Sequence, residues 1–218
     1  MPTPKVDLLV APCSHKAAKW AVEHWHYSQS MPAGKLVKFG VWENGDFVGC
    51  VLYGRGAAMN IGKPYNLEQV QICELVRVAL KSHESKTTQI VSTTLRQIKK
   101  DNPGLRLIVS YADTSQGHEG TIYQAMNWLY VGDSVARNQI LFGETLHPKT
   151  VYSRYGRQDI AWLRAHVDPN AKWIDCEPKR KYLYPLDRAM RRQIEQLAQP
   201  YPKRADVGEI ESRTGSTG

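Results

Sequence analysis

LRLIVSYADTSQGHEGTIYQAMNWLYVG, Leu105 to Gly132, changes character three times along its length. Leu105 to Ala112 is an apolar run with β-branched residues, short enough for a buried strand and too short for a buried helix. Asp113 to Gly120 is polar and small, the composition of a loop at the carboxyl end of a strand. Thr121 to Met126 then predicts a short helix carrying Tyr123, and Trp128 to Val131 returns to a strand. Strand, polar loop, helix, strand is the grammar of an α/β sheet, in which chemistry gathers in loops at strand ends.

The flanking sequence extends this pattern in both directions. Val6 to Val10 predicts a short strand broken by Pro12. Ser14 offers a helix cap, and the spacing of Ala17, Ala21 and Trp25 predicts an amphipathic helix over 15–25 that exits into His26-Tyr27-Ser28-Gln29-Ser30. Leu36 to Trp42 and Asp46 to Tyr53 flank Asn44-Gly45, a strong hairpin signal. Gly54, Gly56, Gly62 and Pro64 mark a long connection. Cys73 to Leu80 predicts a strand presenting Glu74 and Arg77 to different faces, and 85–100 predicts a helix stopped by Asn102-Pro103-Gly104. Gln139 to Phe142 predicts one more strand, followed by helices near 157–166 and 187–197. The fold class is therefore α/β, a mixed central sheet flanked by helices. Residues 1–150 read as the catalytic domain, 151–205 as a basic C-terminal extension of the same unit, and 206–218 as a disordered tail.

Composition narrows the class of function. The chain has 218 residues, 42% hydrophobic and 23% charged, enough for one full core. No apolar run reaches the roughly 20 residues that span a bilayer, and the N-terminus lacks a signal-peptide pattern, so a cytoplasmic location is expected and no membrane partner. Cys13, Cys50, Cys73 and Cys176 form no C-x-x-C pair, which argues against a zinc knuckle or a disulfide framework. The net charge is +8, and 151–204 holds 12 Lys and Arg against 6 Asp and Glu, so this segment contributes +6. A basic segment points to a polyanion, with nucleic acid the first candidate, or to a merely solvated surface.

The order of elements resembles the Gcn5-related N-acetyltransferase (GNAT) fold. His26-Tyr27-Ser28, Glu74-Leu75-Val76-Arg77, Tyr111-Ala112-Asp113 and Gly120-Thr121-Ile122-Tyr123-Gln124-Ala125 together resemble the Mom family of phage DNA-modification proteins, over roughly residues 5–145 and, less closely, the basic end with Pro200-Tyr201-Pro202-Lys203. What the resemblance implies is a transferase that adds a carbamoylmethyl group to N6 of adenine in double-stranded DNA and so protects it from host restriction. It also implies a small-molecule group donor such as acetyl-CoA, bound iron, and functional positions at His26, Tyr27, Arg77, Asp113 and Tyr123. The chain departs from the usual acetyltransferase pattern at Lys81 to Thr88. That stretch has no glycine to bring backbone N–H groups onto a CoA pyrophosphate, although Ser85, Thr87, Lys81 or Lys86 can hold an anion.

Adenine N6 is a poor nucleophile, paired and stacked in a duplex, so an enzyme acting there extrudes the base and bonds its Watson–Crick edge. Asp113 suits the acceptor of an N6 proton, or else caps its loop. Tyr27 and Tyr123 suit stacking or phenolic proton donation, or else core packing. His26 suits a general base or, with Tyr27 and Asp113, an iron ligand; His118 is a weaker substitute in that set. Arg77 suits a phosphate or a substrate carbonyl, or else a structural pair with Glu74. Ser28, Glu74, Ser110 and Tyr111 flank these as substrate- or cofactor-binding candidates. Lys179, Arg180 and Lys181, with Arg188, Arg191 and Arg192 on one helical face, are the expected DNA contacts, continued by Lys203 and Arg204. The competing expectations are a conventional acyltransferase for a small amine or protein, and a non-catalytic DNA-binding protein.

Overall fold

The computed structural model describes residues 6–55, 60–134 and 137–202; the tail at 206–218, Lys203 and Arg204, and Gly56 lie outside the described residues. The chain opens with β1 (Leu8–Pro12), then α1 (His15–Trp25), β2 (Leu36–Glu43) and β3 (Asp46–Gly54). Pro12 ends β1 rather than breaking it, because β1 is an edge strand with one open side and needs no donor there. Ser14 accepts the Ala17 N–H and caps α1. The buried face of α1, Ala18, Ala21 and Val22, lies on Cys50, Leu52 and Ala79. Asn44 and Gly45 carry φ of 51° and 89°, the left-handed pair that a two-residue hairpin between β2 and β3 requires.

After a short 3-10 turn at Lys63–Tyr65 come β4 (Ile72–Leu80), α2 (Thr87–Asp101), β5 (Leu107–Asp113), α3 (Thr121–Ala125) and β6 (Leu129–Ser134). They are followed by β7 (Arg137–Leu141), β8 (Glu144–Leu146), α4 (Pro148–Tyr155), α5 (Ile160–His166), β9 (Lys172–Asp175), β10 (Lys179–Pro185) and α6 (Arg188–Ile194). The main sheet runs β1-β2-β3-β4-β5-β10-β6. All its pairs are antiparallel except β4 with β5, which are parallel. Ile90, Val91, Leu95 and Ile98 of α2 pack on Ile108 and Ala112 on one face of the sheet. Met190 and Ile194 of α6 pack on Leu107, Val109 and Leu183 on the other, as the alternation of strand side chains demands.

The β4–β5 pair matters most for function. Its register covers only Ile72↔Leu107 to Glu74↔Val109, so beyond Glu74 the two strands part. A bulge beside Val76 adds to the divergence: Arg77 pairs with Leu52 but Leu75 already pairs with Tyr53. The parted strands leave a cleft with Arg77 and Val78 on one wall and Tyr111 and Ala112 on the other.

Two sequence expectations change here. The strand at Gln139 to Phe142 does not join the main sheet. It is β7 of a separate sheet ordered β8-β7-β9, closed by Leu141, Val151, Leu163 and Ala171. The strand that does join is β10, drawn from the basic segment and seated between β5 and β6. Its first half, Lys179-Arg180-Lys181, masks the strand signal because those cations lie at the cleft end of the sheet. Tyr182 and Leu183 are fully buried.

Candidate functional site

The cleft encloses about 510 Å³ and takes its walls from four places: the exit of α1, the outer half of β4, the end of β5, and the loop and first turn of α3. Trp25, His26 and Tyr27 form the first wall because α1 ends at Trp25 and the chain turns extended at His26. His26 Nδ1 lies 2.8 Å from Ser28 Oγ and accepts the Ser28 N–H at 3.1 Å. With Nδ1 an acceptor, the neutral ring carries its proton on Nε2.

Burial, reinforced by the positive charge of Arg77 and then of His118, lowers the His26 pKa to about 4. His26 is therefore neutral at physiological pH, with Nδ1 held by Ser28 and the proton on Nε2. In the unfolded chain it takes up a proton near pH 6.5. The unfolded state then binds more protons between pH 6.5 and 4, so stability falls as the pH is lowered through that window. Thermal melts from pH 7 to 4.5 are expected to show a steeper loss for the parent chain than for His26→Gln. Parallel curves would contradict a neutral His26.

Asp113 ends β5 and is 9% exposed. Its Oδ2 lies 2.6 Å from Lys179 Nζ and accepts the Tyr27 hydroxyl at 3.3 Å, while its Oδ1 accepts the Ser115 hydroxyl at 2.6 Å. Burial alone would raise the Asp113 pKa, but the bonds from Lys179, Ser115 and Tyr27 outweigh it and hold the carboxyl below its ordinary value. Asp113 thus stays ionised and fixes Tyr27, whose ring is 47% exposed at the cleft mouth, 4.3 Å from the His26 ring and 5.4 Å from that of His118. Burial, with the Asp113 charge behind it, raises the Tyr27 pKa.

Tyr123 approaches from α3. Its ring packs against Trp128 at 5.0 Å and Tyr182 at 5.1 Å and is 8% exposed, so it has no free face on which a base can stack. Ser110 Oγ lies 2.8 Å from both the Tyr123 hydroxyl and the Leu75 carbonyl oxygen. Burial pushes the Tyr123 phenol up to about 12, which keeps its proton in place as a donor. Gly120 caps α3 at φ 77°, and a Cβ there would meet the Tyr182 ring at 2.4 Å. Tyr182 in turn donates to the Glu119 carbonyl at 3.0 Å, so loop and sheet hold each other in register.

Arg77 lines the cleft with Nη1 on the Val76 carbonyl at 2.7 Å and Nη2 on that of Ser30 at 3.5 Å. Its Nε is buried without a hydrogen-bond partner. Tyr111 lines the opposite wall, whereas Glu74 is not among the lining residues and pairs with Val109 where β4 and β5 are still joined. Trp25 and Glu119 also line the cleft though the sequence reading does not single them out, and His118, expected only as a substitute iron ligand, lines it as well; adjacency to His26 and to the loop after Asp113 is a usable signal for each.

Three of the expected DNA contacts have partners within the protein. Lys179 holds Asp113, Arg180 pairs with Glu119, and Lys181 sits over the Tyr65 ring at 5.1 Å. Pairing of β10 with β5, Lys179↔Asp113 through Lys181↔Tyr111, forces this arrangement. Arg188, Arg191 and Arg192 remain exposed on α6.

The expected iron ligands His26, Tyr27 and Asp113 lie together at the cleft mouth, with the Tyr27 hydroxyl on Asp113 and the His26 ring beside that of Tyr27, but iron itself is unsupported there. The Asp113 carboxylate is already bonded by an ammonium and two hydroxyls, and among the described residues no three His, Cys, Asp or Glu side chains converge on one point. Nor is any described helix long and apolar enough to cross a membrane.

The seven-stranded order and the parted parallel pair define an α/β protein with a mixed central sheet flanked by helices, the fold class that the order of elements in the sequence implies. The chain belongs to the Mom protein family, whose model matches residues 7–203. It is 26% identical over 205 residues to the methylcarbamoylase mom of Escherichia phage Mu, covering 90% of this chain and 84% of that relative. Among solved structures it is similar to an N-acyl amino acid synthase from uncultured soil microbes at TM-score 0.49 and 11% identity, covering 89% of this chain and 97% of that one. It is also similar to a Bacillus subtilis acetyltransferase in complex with CoA at TM-score 0.45 and 14% identity, covering 84% and 100%.

Proposed function

We propose that the chain is a DNA-modifying transferase that adds a carbamoylmethyl group to N6 of adenine and acts in the cytoplasm of the host cell, where the adduct protects DNA from restriction. The observation that carries this reading is membership of the Mom family over nearly the whole chain, beside a methylcarbamoylase from phage Mu. The cleft supports it by the donors and acceptors it assembles.

A flipped adenine entering between Trp25 and Tyr27 meets an aromatic mouth, which offsets part of the cost of unstacking, a few kcal/mol. Arg77 and the protonated Tyr123 hydroxyl then bind the donor's carbonyl or leaving group, where negative charge develops. The N6–C bond forms as the donor's bond to its leaving group breaks. N6 gives up one proton, for which the Tyr27 hydroxyl and the ionised Asp113 behind it form an acceptor pair. His26, fixed by Ser28, contributes an N–H donor rather than a base.

Duplex contact falls to the exposed arginines of α6. The triple substitution Arg188→Ala, Arg191→Ala, Arg192→Ala is expected to weaken binding at every sequence and to flatten the plot of log affinity against log salt by about 2–3, since each phosphate contact contributes about 0.9. An unchanged slope would remove α6 from the interface. The function itself is tested by digestion: DNA from cells expressing the chain should resist endonucleases whose sites contain adenine, and DNA from cells expressing Tyr123→Phe should not. Equal cleavage of both would reject the proposal.

A further inference from the structure

Glu43, the last residue of β2, is 6% exposed and belongs to none of the walls of the cleft. It reaches the turn between β4 and α2, where its Oε2 accepts the Glu84 N–H at 2.8 Å and its Oε1 accepts the Ser85 N–H at 2.7 Å. His83 closes the same turn, with Nδ1 2.8 Å from the Lys81 carbonyl oxygen and Nε2 3.1 Å from Thr87 Oγ1. Burial would raise the Glu43 pKa, but the bonds from Ser85 and Glu84 and the nearby His83 bring it below the ordinary value, so the carboxylate is ionised.

Consecutive backbone N–H groups ahead of a helix make a cradle for anions, the kind of place where a diphosphate binds. In this chain the cradle is built and already filled, by the protein's own carboxylate. Between Lys81 and Thr88 there is no glycine through which a second anion could approach the backbone. A diphosphate brought within a few ångströms of a buried, ionised carboxylate is repelled, at a cost in affinity of about 10²-fold or more.

We infer that Glu43 is a built-in anion that seals the cradle before α2, and that the group donor of this chain is a compact molecule without a diphosphate, held within the cleft on the side of Arg77 and Tyr123. The second half rests on the proposed transferase reading; the seal itself does not. An acyl-CoA whose diphosphate must sit at this turn does not fit the residues present.

The test is calorimetric titration of the full chain with acetyl-CoA and, separately, with inorganic pyrophosphate, while the backbone amide resonances of Glu84 and Ser85 are followed by NMR. The parent chain is expected to bind neither saturably up to about 1 mM. Glu43→Ala, which frees both N–H groups, and Glu43→Gln, which removes the charge but keeps the side chain's bulk, are expected to bind pyrophosphate at least about 10-fold more tightly than the parent, with shifts confined to the turn. If Glu43→Ala fails to fold, Glu43→Gln carries the test alone. Saturable acetyl-CoA binding by the parent that moves the Glu84 and Ser85 resonances would overturn the inference, as would folded variants that gain no affinity for pyrophosphate. Adenine modification in cells is read separately, so its absence would reject the proposed function and leave the seal standing.

Discussion

Replacing Arg77 with Gln is expected to lower adenine modification by about 10²- to 10³-fold, the loss typical of removing one donor aimed at developing charge. Thermal stability should move little, because the guanidinium serves main-chain carbonyls at the cleft wall rather than filling a core. The bulge beside Val76 is what turns Arg77 into the cleft, and its Nε is left without an acceptor there. Arg77→Lys should recover only part of the activity, since an ammonium keeps the charge but loses the planar fork. Adduct per adenine, quantified alongside a melting curve for each variant, checks both halves. Full activity in Arg77→Gln would exclude a role for this residue in the reaction.

Gly120→Ala is the second large effect, and it should strike stability and activity together. The new Cβ would meet Tyr182 Cε2 at 2.4 Å at a φ of 77°, where an L side chain is already strained. Tyr182 is fully buried between Tyr123 and Tyr130 and has no room to retreat. Overpacking of this kind costs about 1–3 kcal/mol, or a fall in melting temperature of roughly 2–12 °C for a chain of this size. The displaced loop carries Glu119 and the first turn of α3, so the Tyr123 hydroxyl moves as well. A shift of about 1 Å in a reacting group can cost about 10²-fold in rate. Parent-like melting would show that Tyr182 yields, and that the loop is less tightly held than its bonds to Tyr182 and Arg180 indicate.

Elements with a strong local signal are legible in the sequence. The Ser14 cap and the Ala17, Ala21, Trp25 spacing marked α1 at the bounds it adopts, and Asn44-Gly45 marked the hairpin. What local pattern could not reveal was pairing at long range. Lys179-Arg180-Lys181 read as a surface run because charge normally stays in water. In the fold each of the three meets a partner supplied by β5, by the loop after it, or by Tyr65. The same limit hid Glu43: a glutamate before Asn-Gly reads as a solvated hairpin residue, and only the path of β4 into α2 brings two backbone N–H groups to it. Tyr123 shows the converse. Its place near the cleft was legible, but packing by Trp128 and Tyr182 removes the stacking role and leaves the hydroxyl.

Mass spectrometry of nucleosides from the DNA of cells expressing the chain reaches the central claim most directly. The expected result is a deoxyadenosine species heavier by one carbamoylmethyl unit, present with the parent chain and lost with Arg77→Gln and Tyr123→Phe. Unmodified deoxyadenosine in DNA from cells that make folded protein, with acetyl groups appearing on small amines or lysines instead, would contradict it and identify a conventional acyltransferase.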